Sequence, residues 1–80
     1  MIITTKFHGA TNTLGSRFIA RTKGTRKYCI VPRNYETCYY LNHKEVAVNL
    51  AERFGFDYVT LQGETDTGYT WEARYYPFGS

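Results

Sequence analysis

The sequence predicts an α+β domain: an antiparallel sheet of about five strands in the order β-β-β-α-β-β, with one helix packed on one face. Three observations carry that expectation. Short runs of β-branched and aromatic residues are broken by glycine and polar clusters, one central stretch has helical apolar spacing, and 80 residues are too few to bury two independent cores.

The first strand is expected near residues 2–7, IITTKF, and stops at the polar loop HGATNTLG. SRFIART, 16–22, supplies the second. Alternation puts Ile3 and Phe7 on one side of the first strand and Phe18 and Ala20 on one side of the second. Lys6, Arg17 and Arg21 then take the opposite faces, where aligned strands place three cations on one side of a ribbon. KGTR, with Gly24 at its centre, is a turn that carries Lys23 and Arg26 and leads to Lys27. KYCIVP continues as a third strand near 27–31 that Pro32 closes. Its buried face stays open, since Cys29 and Val31 compete with Tyr28 and Ile30, and a bulge would reconcile them.

The helix is expected near 43–54. Asn42 and Glu45 have capping-box spacing, and Val46, Ala47, Leu50, Ala51 and Phe54 recur as one apolar stripe, with His43, Asn49, Glu52 and Arg53 facing water. Gly55 reads as a left-handed terminator with Phe56 folding back onto the last turn. Strands near 57–61 and 68–75 follow, joined by GETDTG, and Tyr69, Trp71, Ala73 and Tyr75 alternate on one face. The chain is one domain over residues 1–80, with 74–80 a candidate flexible tail.

Apolar residues at 42% and a net charge of +3 describe a globular chain rather than a disordered one. No signal peptide and no membrane-length apolar run is visible, so a soluble, cytoplasmic protein without membrane contact is expected. The charge is unevenly distributed. Residues 1–34 hold Lys6, Arg17, Arg21, Lys23, Arg26, Lys27 and Arg33 and no acid, which is +7, whereas residues 35–80 hold three cations against seven acids, which is −4. An anionic partner for the first half is the sharper reading of that asymmetry, and a solvated face the plainer one.

Cys29 and Cys38 match no zinc-site spacing, and neither histidine has a catalytic motif around it. No metal or cofactor is expected, the thiols read as reduced and structural, and a domain this small has little volume for an enzyme's pocket. Eight tyrosines are too many for one small core. Exposed Tyr beside Arg is the composition of binding surfaces, which singles out Tyr28, Arg33, Tyr39 and Tyr40, although tyrosine is also simply a good strand former. In TNTLGSR, residues 11–17, the short polar side chains of Asn12 and Ser16, the freedom of Gly15 and the adjacent Arg17 suit a nest of amides for a phosphate or carboxylate. The same side chains can equally bond their own backbone in a long hairpin connection.

IITTKFHGATNTLGSRFIAR, with its TK pair followed by TNT-x-GSR, resembles the start of small uncharacterised proteins encoded by phages and prophages. LAERFGF and GYTW are similar to their later segments, so the resemblance spans most of residues 2–72. KGTRKYCIVPRNYETCYYLN is more basic and tyrosine-rich than that pattern, and EARYYPFGS extends beyond it. The resemblance carries no activity with it. It implies a phage or mobile-element origin and action in the cytoplasm of a bacterial host. The expected function is therefore non-enzymatic: stoichiometric binding to a host protein or nucleoprotein complex, as an inhibitor or modulator of the anti-defence type such as anti-CRISPR proteins. A direct DNA- or RNA-binding protein that uses the basic ribbon is the alternative. The target and the oligomeric state are not legible in the sequence.

Overall fold

The computed structural model describes residues 1–10, 15–24 and 26–77. Its elements are β1 (Ile2–His8), β2 (Arg17–Thr22), β3 (Tyr28–Pro32), α1 (Tyr39–Arg53), β4 (Tyr58–Glu64) and β5 (Gly68–Arg74). The strands form one antiparallel sheet in the order β3-β2-β1-β5-β4. The chain climbs from β1 to the β3 edge, crosses the sheet as α1, and returns inward from the opposite edge, so that β1 and β5 become neighbours. This is the expected α+β architecture.

Side-chain alternation makes the sheet two-faced. Ile3, Phe18, Ala20, Cys29, Val59, Trp71 and Ala73 point toward α1 and meet Val46, Ala47, Leu50 and Ala51 in one core. The register pairs Phe18 with Val31 and Ala20 with Cys29, which settles β3 with Cys29 and Val31 inward and Tyr28 and Ile30 outward. No bulge is needed there; the irregularity lies in β4, between Leu61 and Gly63.

The helix end follows the sequence closely. Gly55 has φ of 84°, Gly55 N–H donates to the Glu52 carbonyl and Phe56 N–H to that of Ala51, a Schellman closure. The helix start does not. α1 begins at Tyr39, four residues before the expected first turn, with Cys38 in the N-cap position and no side-chain cap. Asn42 is a buried residue of the helix, not its cap. Its side-chain oxygen accepts from Asn34 N–H at 2.8 Å, and its amide donates to the carbonyls of Asn34 and Cys38 and to the Thr37 hydroxyl. The asparagine thus ties the preceding loop to the helix. The first turn forms without a capping box and is held through ring contacts of two part-exposed tyrosines: Tyr39 meets Phe7 and Phe18, and Tyr40 meets Tyr69 and Trp71.

His43, expected to face water, is fully buried. It extends the apolar stripe one turn toward the N-terminus, and three aromatic rings, those of Phe18, Tyr39 and Tyr69, stand edge-on to it at centroid distances of 4.6 to 4.9 Å. Beyond β5, Tyr75 stacks on Phe56 and Tyr76 on Tyr58, and Tyr76 N–H donates to the Asp57 carboxylate.

Candidate functional site

Two places gather polar chemistry: the sheet face away from α1, and the buried seam around His43.

The open face is written by the strand registers. Thr4 pairs with Arg21, Lys6 with Ile19 and His8 with Arg17; Arg17 pairs with Pro32, Ile19 with Ile30 and Arg21 with Tyr28. Directly paired residues share a face, so Lys6, His8, Arg17 and Arg21 stand together over β1, β2 and β3. The three cations expected to converge do so. Between β1 and β2 lies a shallow depression of about 410 Å³ lined by Thr4, Lys6, His8, Ile19, Arg21, Thr22 and Lys23. Among the described residues no carboxylate lies on this half of the face, and the described ion pair, Arg74 with Glu72 at 3.2 Å, belongs to β5. The Tyr28 ring lies under the Arg21 guanidinium at 5.8 Å. Ile2 and Ile30 are exposed between the charges, and Ile19 lies between Lys6 and Ile30 in the register. Thr4, His8, Ile2, Ile19 and Ile30 join this surface without having been singled out from sequence; the same alternation that placed Lys6 would have found them.

The remaining candidates are dispersed. Ser16 is half-buried and its carbonyl accepts from Arg33 N–H, and Arg26 is exposed beyond the turn. Lys27 turns toward the helix side, its ammonium over the Phe54 ring. Arg33 lies against the rings of Phe7 and Tyr35 and its charge reaches Tyr39 at the start of α1, while Tyr40 packs on Tyr69 and Trp71. Burial holds the Tyr39 hydroxyl above its ordinary pKa, with Tyr69 adding to the effect and Arg33 partly opposing it. Arg33, Tyr39 and Tyr40 therefore belong to the helix side, not to the cationic face. Asn12 and the rest of Thr11–Leu14 lie outside the described residues.

At the seam, the Thr5 hydroxyl lies 2.9 Å from His43 Nδ1, 3.1 Å from Trp71 Nε1 and 3.3 Å from the Tyr69 carbonyl. The indole donates to the hydroxyl, whose own proton is shared between the Tyr69 carbonyl and the His43 contact. Nε2 of His43 is buried and without a partner. Desolvation lowers the imidazole pKa to about 4. Gly68 is required beside it, because a Cβ there would run into the Thr5 carbonyl and the imidazole. The histidine is closed off from solvent.

Among the described residues no cluster of His, Cys, Asp or Glu has metal-site grouping, and no helix is long and apolar enough to cross a membrane. No protein-family model matches this chain, and no curated protein and no solved structure does either.

Proposed function

We propose that this protein acts stoichiometrically, without catalysing a reaction, by seating an acidic surface of a host protein or nucleoprotein complex on the open face of its sheet. The observation that carries this reading is the convergence of Lys6, Arg17 and Arg21 on the β1–β3 half of that face, with Lys23 at its rim and no carboxylate among them. An uncompensated cationic surface attracts and orients an anionic partner. The exposed Ile2 and Ile30 beside the charges favour a protein over bare phosphates, since aliphatic side chains add burial against another protein. The bacterial setting and the anti-defence role rest on the phage-type resemblance of the N-terminal motif.

A DNA or RNA strand is the second reading, favoured by the Tyr28 ring beside Arg21 on the same face. Sheet surfaces that read single strands stack bases on aromatics of their central strands. Here β1 and β5 present Thr4, Lys6, Thr70 and Glu72 outward, with His8 at the end of β1 as a single ring.

The test is capture from nuclease-treated bacterial lysate, compared with titration of the purified protein into duplex DNA and single-stranded RNA. A protein held by the wild type and by a Lys44→Glu control on the exposed helix surface, and lost by Lys6→Glu/Arg21→Glu, is the expected result. Submicromolar binding to DNA or RNA would overturn it, if log affinity falls steeply with log salt, at about −0.9 per phosphate neutralised on duplex DNA.

A further inference from the structure

We infer that two copies of the chain join through β3, antiparallel about a two-fold axis at Ile30, into one continuous sheet. The inference is independent of what binds the open face.

The hydrogen-bond phase of the edge comes first. Arg33 N–H donates to the Ser16 carbonyl, in the same register that pairs Arg17 with Pro32. By the antiparallel alternation, Val31 and Cys29 spend their backbone groups on β2, and Tyr28, Ile30 and Pro32 aim theirs outward. An incoming strand therefore finds a donor and acceptor at Ile30, a donor at Tyr28, and only an acceptor at Pro32. The Tyr28 carbonyl is already engaged by Arg53 Nη1 of α1 at 3.2 Å.

That set is complementary to itself. With β3 facing β3, the two Ile30 residues exchange both of their bonds, and Tyr28 N–H of each copy donates to the Pro32 carbonyl of the other. The one bond Pro32 cannot make is to the Tyr28 carbonyl, the group that Arg53 satisfies within its own chain. The side chains agree. Ile30 opposes Ile30 and Tyr28 opposes Pro32 on the open face, and Cys29 opposes Val31 on the helix side, so every cross-strand pair is apolar.

β3 is short and ends on Pro32, two partial protections of an edge, but its five residues, YCIVP, carry no charge, and Tyr28 and Ile30 are 51% and 45% exposed. The opposite edge, β4, is bulged between Leu61 and Gly63 and ends on Glu64, two devices that discourage pairing. A groove of about 410 Å³ between β3 and the Asn49–Arg53 turn of α1 leaves room for the helix-side residues of the incoming strand. The opposing term is electrostatic, because Lys27 of one copy faces Arg33 of the other. Salt screens that repulsion and tightens the dimer.

Sedimentation of the full chain from micromolar to millimolar concentration, at low and high salt, tests the proposal. The expected result is a monomer–dimer equilibrium that salt strengthens. Ile30→Pro removes only an outward N–H and no bond to β2, so it should raise the dimer dissociation constant by at least about tenfold while far-ultraviolet circular dichroism stays unchanged. Should that variant fail to fold, Ile30→Lys keeps the N–H but sets two ammonium groups against each other on the axis, and should have the same effect. A monomer at millimolar concentration in high salt, or a dimer indifferent to a folded Ile30 variant, would overturn the inference.

Discussion

At His43, packing and ionisation are in direct opposition. The ring fills the space between Phe18, Tyr39 and Tyr69, yet burial strips its charged form of solvation. The pKa is lowered to about 4 in the folded chain against about 6.5 when unfolded. The unfolded state therefore binds more protons between those values, and stability declines as pH falls through that window. The loss approaches roughly 3 kcal/mol near pH 4, measurable as a falling urea midpoint. His43→Gln, which cannot ionise, should flatten the pH dependence over that range; an unchanged slope would mean the imidazole reaches solvent. His43 lies three and four residues before Val46 and Ala47, on the apolar stripe, but the apparent N-cap at Asn42 makes it read as a first-turn surface residue. The partners of Asn42 in the 34–38 loop, unmarked by any motif, go with a helix that starts earlier and carries His43 inside a full turn.

Among the elements, α1 and the strands were legible to the extent that their burial is periodic. Val46, Ala47, Leu50 and Ala51 repeat at helical spacing and lie fully within the core, and Gly55 terminates the helix as its position implies. Leu50 is central to that contact surface, so Leu50→Ala should cost about 2–5 kcal/mol in chemical denaturation; a change near zero would place its side chain outside the core. Lys6, Arg17 and Arg21 were assigned to one face by the same logic of alternation, which the backbone enforces whatever lies on the other side. Arg33 escaped it because its position depends on the loop between β3 and α1, and Tyr39 and Tyr40 because α1 starts earlier than its apparent cap at Asn42. The inward face of β3 was undecidable because YCIVP is apolar on both sides.

For the whole molecule, the charge imbalance of the sequence becomes a spatial one. The acid-free first 34 residues build β1, β2 and β3, which are contiguous at one side of the sheet, while the acids fall on α1, β4, β5 and their loops. Such a field acts chiefly on encounter. For the captured partner, the association rate should fall steeply as salt rises while dissociation changes little, a pattern that surface plasmon resonance separates directly. Equal effects on both rates would mean that the cations form close pairs within the complex. The chain's one tryptophan is Trp71, closed between helix and sheet with its indole N–H on Thr5. Its emission is therefore a dye-free gauge of whether the two layers are together. It should shift to the red when the helix lifts, and stay silent when a ligand settles on the far side of the sheet or a second copy joins at the edge, so one fluorimeter trace distinguishes unfolding from recognition.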